Sequence, residues 1–174
     1  PARIFSVWTV SELAAIGIYE ITFDDSKKKD EKYYINTNQT YTYDADAGTV
    51  TAAYGNATPK AHADTLFTAQ DETDGLGTEG ELATRGLKYN FIKIIKAQAA
   101  GILQDTDWYI LRKADADTDV PSAITTFRAA VRTKAAAMET LITNASNTAA
   151  IETLYTYVNT ADEGDPVVME RPLG

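Results

Sequence analysis

The chain has no cysteine and only one histidine, His62. No disulfide can staple it and no thiolate can hold a metal, and any imidazole mechanism would have to run through a single residue. Zinc sites draw on several His or Cys ligands, so the composition argues against zinc. Long apolar runs are also missing: nothing approaches the roughly 20 residues needed to span a bilayer. Basic residues are outnumbered, with 16 Lys and Arg against 25 Asp and Glu and a formal charge of −9. Phosphate backbones and anionic membranes repel such a surface, so neither nucleic acid nor membrane is expected as a partner. The same charge favours solubility and keeps free copies apart. The opening Pro-Ala-Arg-Ile-Phe-Ser has none of the basic, apolar and small-residue regions of a signal peptide. A chain starting at Pro1 reads as one that has lost its initiator Met, so the expectation is a natural N-terminus and synthesis in a cytoplasm.

What remains is enough for a core. A domain of 174 residues buries about 70% of the surface its unfolded chain exposes. Thr9 and Glu12 have the spacing of a capping box ahead of Leu13-Ala14-Ala15-Ile16, and Gly17 is placed to end that short helix. Residues 18–23 alternate as a strand. Tyr33-Tyr34-Ile35, Thr40-Tyr41-Thr42-Tyr43 and residues 49–54 are rich in β-formers, with a turn at 44–48. The pattern predicts an antiparallel meander of about four strands. From Thr58-Pro59 the style changes, because Thr58 suits an N-cap and Pro59 a first helical position. A helix through Ala61, Leu66 and Phe67 is expected next. Thr78 and Glu81 repeat the capping-box spacing and place a long helix over about 79–104.

That helix has two apolar stripes where a surface helix normally has one: Leu82, Tyr89, Ile92, Ile95, Ala99 and Ile102, beside Leu87, Phe91, Ile94 and Gln98. A wide arc of this kind belongs to a central helix or to one that meets another chain. A short helix capped by residues 105–107 follows. A second long helix, opened by Val120-Pro121, carries the stripe Ile124, Phe127, Val131, Ala135, Met138 and Leu141. Ile151, Leu154, Tyr155 and Val158 mark a last helix, and residues 167–170 read as an edge strand or an extended arm.

The search for chemistry yields nothing specific. His62 has no nucleophile motif beside it and reads as a surface histidine. Asp115, Asp117 and Asp119 have the opening spacing of a calcium loop, but Val120 stands where the loop requires glycine and Thr126 where it requires a bidentate Glu. The turn at Asp44 and Asp46 fails likewise at Thr49 and Gly55. Glu72 with Asp74, and Asp105 with Asp107, are carboxylate pairs of the kind a glycosidase uses, but spacing alone does not face them across a cleft. Residues 75–80 match Gly-x-Gly-x-x-Gly without the strand and βαβ setting that a dinucleotide site needs, and they read as a hinge between helices. Lys27-Lys28-Lys29 lies among acids, so its field is weak. Arg128 and Arg132, four apart, are placed to meet the carboxylates of residues 105–107.

Two segments carry a resemblance. Residues 8–21, from Trp8-Thr9-Val10-Ser11-Glu12-Leu13 to Tyr19-Glu20-Ile21, are similar to the opening of small proteins encoded beside tail-fibre genes in tailed bacteriophages. Residues 103–132 resemble their C-terminal part, where a Leu-x-x-Thr-Asp-Trp segment (here Leu103 to Trp108) precedes an Arg-x-x-Leu-Arg helix (here Arg128 to Arg132). Together these cover 44 of 174 residues, with Val131 at the family's usual Leu. The resemblance is to the tail-fibre assembly or tail-fibre-associated family. It implies a part in building or forming a phage tail and no catalytic residues. The family often ends soon after that helix, whereas 42 residues follow Arg132 here. An added helix and arm would suit permanent incorporation.

The expectation is therefore an α+β chain: a β-rich domain over 1–57, a helical domain of three to four helices over 58–161, and an extended arm over 162–174. It is expected to be non-enzymatic, without cofactor or metal, and to act in the virion tail through contacts with other tail or fibre proteins or with copies of itself. A transient tail-fibre chaperone is the alternative reading, and a glycan hydrolase a remote one. The candidate interface residues are Trp8, Leu87, Phe91, Ile94, Trp108, Tyr109, Arg128 and Arg132.

Overall fold

A computed structural model of the chain describes residues 7–37, 39–163 and 167–174. The fold is α+β, and it divides into two compact units, Pro1–Pro59 and Lys60–Gly174.

In the first unit, helix α1 (Val10–Ala15) starts as its sequence indicates. The Thr9 hydroxyl accepts from the Glu12 N–H at 3.3 Å, and the Glu12 carboxylate accepts from the Thr9 N–H at 2.7 Å. It ends in a Schellman turn: Gly17, at φ +80°, donates to the Ala14 carbonyl and Ile18 donates to Leu13. Strands β1 (Glu20–Asp24), β3 (Thr40–Asp44) and β4 (Thr49–Ala53) form one sheet in the order β1-β4-β3. The β3–β4 hairpin is antiparallel, closed by Asp44, whose carboxylate accepts from the N–H groups of Asp46 and Ala47. Strand β1, however, joins β4 in parallel, so the sheet is not a meander. Alternation tells which face a residue occupies; it does not tell which strand lies alongside. The intervening strand β2 (Tyr34–Ile35) leaves the sheet and pairs instead with β5 (Thr58–Pro59). Thr58 and Pro59 thus end a strand ladder rather than open a helix. Proline tolerates both settings, because each spares its missing N–H.

In the second unit, β6 (Thr65–Leu66) and β7 (Leu82–Thr84) pair antiparallel around a short helix α2 (Ala69–Thr73). No helix runs through Ala61 or Leu66. The long helix begins at Leu87, not near residue 79: α3 spans Leu87–Gln104. Two features hold it to that start. Gly80 sits at φ +81°, outside helical space. Gly86 passes so close to the Ala63 backbone that a side chain there would collide with it. The first N–H groups of α3 are then satisfied by the preceding loop, Leu87 donating to the Ala61 carbonyl and Lys88 to that of His62, both at 3.0 Å.

Helices α4 (Asp107–Ala116), α5 (Ser122–Asn144) and α6 (Thr148–Tyr155) complete the helical part, with α5 packed along α3. Its core is made by Leu87, Phe91 and Ile95 of α3 together with Ile142, Ile151 and Leu173. Two short strands, β8 (Val158–Asn159) and β9 (Met169–Glu170), pair antiparallel after α6. The last residues are no free arm. Leu173 is 1% exposed, its N–H donates to the Leu154 carbonyl at 3.1 Å, and Arg171 lies over the rings of Tyr155 and Tyr157. Apolar burial at Leu173 outweighs the extended character suggested by Val167-Val168.

Candidate interaction surfaces

The motifs weighed for chemistry are taken up by the fold. Asp117 and Asp119 both bind Lys113, at 2.7 and 2.8 Å. Hydrogen bonds to these two carboxylates raise the Lys113 pKa, and that of Asp119 is lowered by the same contact. Glu72 accepts from the Glu79 N–H at 3.1 Å and Asp74 from the Gln70 amide at 2.8 Å. The glycine-rich stretch 75–80 joins α2 to β7 rather than two helices. It folds against Phe67, whose carbonyl accepts from the Gly80 N–H and whose ring lies against Gly77. His62 is half-buried in a loop before β6, not near a helix start. Among the described residues no group of three or more His, Cys, Asp or Glu is placed to hold a metal ion, and no helix is long and apolar enough to cross a membrane.

The eight candidate interface residues separate by burial. Leu87 and Phe91 are core, and Phe91 packs on α6 of the same chain, its ring centroid 4.6 Å from that of Tyr155. Arg128 is also withdrawn from the surface, at 6% exposed. Its guanidinium donates to the Leu103 carbonyl at 2.9 Å, the Thr106 hydroxyl at 2.6 Å and the Asp107 carboxylate at 2.8 Å. It therefore fastens the α3–α4 corner to α5, and the pairing anticipated with residues 105–107 is made by Asp107. Arg132, one turn on, is exposed. Ile94 and Trp108 are exposed, while Tyr109 and Trp8 are half-buried. Trp108 and Tyr109 lie 3.9 Å apart, with Arg112 over both rings, and Leu111 stands beside them in solvent.

Another apolar surface lies on the three-stranded sheet, outside the candidate residues named from the sequence. The register places Ile21, Val50 and Tyr43 in one row and Phe23, Ala52 and Tyr41 in the next, all on one face. Ala52, at the centre, is 1% exposed, yet Phe23 is 72% and Tyr41 63% exposed. The other face is threonine-rich, with the Thr22 and Thr51 hydroxyls 3.1 Å apart. The alternation itself was readable in the sequence. That Ile21, Phe23, Tyr41 and Tyr43 on its apolar side stay exposed among the described residues is visible only once the partners of β1 are known.

A second apolar surface lies in the helical unit. Ile95, Ala99 and Ile102 of α3 and Val131, Ala135 and Met138 of α5 line a groove of about 350 Å³, with Gln98 and Lys134 as its polar members.

Compared with known proteins, the chain matches no family model, no curated protein and no solved structure.

Proposed function

We propose that this protein is a non-enzymatic structural component of a bacteriophage tail, baseplate or tail-fibre region that works through protein–protein contacts. The observation that carries the contact reading is the sheet face around Ala52, where three aromatic side chains, Phe23, Tyr41 and Tyr43, and Ile21 are exposed on one side of a three-stranded sheet. Small sheets gain stability by covering an apolar face, and contiguous exposed apolar patches mark interaction sites. The assignment to a phage tail rests on the resemblance of residues 8–21 and 103–132 to the tail-fibre-associated family. The chain's formal charge of −9 suits a component kept soluble until it assembles.

The C-terminal segment carries no weight in this choice. It completes the core of its own unit through Leu173, so its length beyond Arg132 argues neither for permanent incorporation nor for a chaperone. Truncation after Arg132 would remove Ile142, Ile151 and Leu173 together and would test folding rather than role.

Replacing Phe23 and Tyr41 with Ser tests the reading. Both side chains are largely in solvent, so the thermal midpoint of the free protein should change by no more than a few degrees. Incorporation into phage particles should fall by about tenfold or more, as expected when aromatic anchors are removed from an interface. Normal incorporation of the doubly substituted protein would count against the sheet face as the contact surface.

A further inference from the structure

We propose that the outer edge of β3 pairs antiparallel with the β3 of a second copy of this chain, about a two-fold axis at Thr42. This deepens the contact reading by naming one partner of the same sheet, and it rests on that reading.

The sheet ends in two open edges. Its strand order is β1-β4-β3, and no described strand lies on the outer side of β1 or of β3. All five residues of each edge strand are exposed. Proteins guard such edges with lysine, proline or a bulge, because a row of free N–H and C=O groups recruits another strand. Strand β3, Thr40-Tyr41-Thr42-Tyr43-Asp44, has neither lysine nor proline, and its ladder with β4 runs without a break in register.

The sequence of β3 makes it its own complement. In an antiparallel pair centred on Thr42, Thr42 stands opposite Thr42 of the second copy, Tyr41 opposite Tyr43, and Thr40 opposite Asp44. This register uses the whole strand and keeps every side chain on its own face, whereas a slip by one residue would set tyrosine against threonine across the two faces. Aromatic pairs and threonine pairs are both favourable across strands. The row Phe23, Ala52, Tyr41 then runs on into Tyr43, Val50, Ile21 of the second copy, and the row Thr22, Thr51, Thr42 continues on the other face. Two three-stranded sheets become one, with a continuous apolar side.

Charge separates this edge from the other. The same pairing of two β1 strands sets Glu20 against Asp24 at both ends. Like charges directly opposite, with Cβ atoms about 5 Å apart, are destabilising. In the β3 pair the single acid, Asp44, meets neutral Thr40. The two Asp44 positions are four residues apart along the ladder, about 14 Å, beyond the screening length of about 8 Å at physiological salt. In a chain of formal charge −9, the β3 seam sets no acid against an acid. The ladder is smaller than the contact of a stable complex, about 800 Å² per partner, so the association is weak and depends on concentration.

Sedimentation equilibrium of the full chain from about 5 to about 500 µM should show a monomer–dimer equilibrium. Thr42→Lys, which sets two ammonium groups face to face at the axis, should weaken it by about fivefold or more while leaving the circular dichroism melt unchanged. Disulfide trapping reads the register. The chain has no cysteine, so Thr42→Cys introduces a single thiol. In a glutathione redox buffer it should give a disulfide-linked dimer at about five times or more the yield of Thr22→Cys on β1. A wild-type chain that stays monomeric at the highest concentration overturns the proposal. So does association that Thr42→Lys leaves intact, or a Thr42→Cys yield no higher than that of Thr22→Cys. Thr42 lies on the threonine face, away from Phe23 and Tyr41, so failure here is distinguishable from failure of the apolar face or of the tail assignment.

Discussion

Single residues decide where the elements of this chain begin. Thr68 caps α2 as Thr9 caps α1, with Asp71 accepting from the Thr68 N–H at 2.7 Å, yet the similar spacing at Thr78 and Glu81 caps nothing. The difference is Gly80, whose left-handed backbone turns the chain into β7 before a helix can form. A capping box is a two-residue pattern, and the residue between its members can veto it. Asp64 fixes the start of α3 from outside. Its carboxylate accepts from the Gly86 N–H at 2.8 Å and pairs with Arg85 at 2.5 Å. The Gly86 hydrogen bond, then that of Arg85, holds the Asp64 pKa below the usual aspartate range. A depressed folded-state pKa adds stability above the unfolded value of about 4 and loses it as pH falls through the folded value. The thermal midpoint should therefore drop on acidification from about pH 5 to about pH 3. Asp64→Asn should melt lower at neutral pH and show a shallower acid slope. Equal slopes in the two proteins would mean that Asp64 contributes nothing to the acid response.

Elements whose signals are local were legible in the sequence: α1 with its Schellman turn, the hairpin of β3 and β4 around Asp44, and α5 with its single stripe. Elements whose placement depends on distant partners were not. Strand β1 reads as a strand by alternation, but its parallel alignment with β4 depends on where residues 25–48 travel. Leu87 and Phe91 looked like candidates for an outside partner because the sequence does not reveal that both are buried within the chain, with Tyr155 of α6 packed on Phe91. Arg128 was legible as a partner of residues 105–107, though not as a buried one. Because its guanidinium serves the Leu103 carbonyl, Thr106 and Asp107 at once, it holds three helices in register. Arg128→Ala should lower the unfolding free energy of the helical unit by about 3 kcal/mol, the scale of losing hydrogen bonds to a charged group and leaving partners unsatisfied. Urea titration followed by the helical circular dichroism signal measures it. Arg128→Lys should restore only part of the loss, since an ammonium cannot reproduce the planar fork.

At the scale of the whole molecule, the two units differ in how much of their apolar surface they bury. The helical unit has a closed core at one end of the α3–α5 pair and an open groove at the other. The first unit buries Tyr33, Tyr34 and Ala52 and leaves Ile21, Phe23, Tyr41 and Tyr43 in solvent. Its lysines add to the packing of that unit, with Lys28, Lys29 and Lys32 lying over the rings of Tyr54, Tyr34 and Tyr33. Surfaces of this kind suit a protein completed by its neighbours. The most direct test of the proposed tail role is a quantitative mass-spectrometric inventory of phage particles purified from the source of the chain. A fixed number of copies per particle, in a multiple that matches a tail symmetry, is expected. Absence from the particle, with the chain recovered from lysate bound to a fibre protein, would contradict it and make the protein an assembly chaperone.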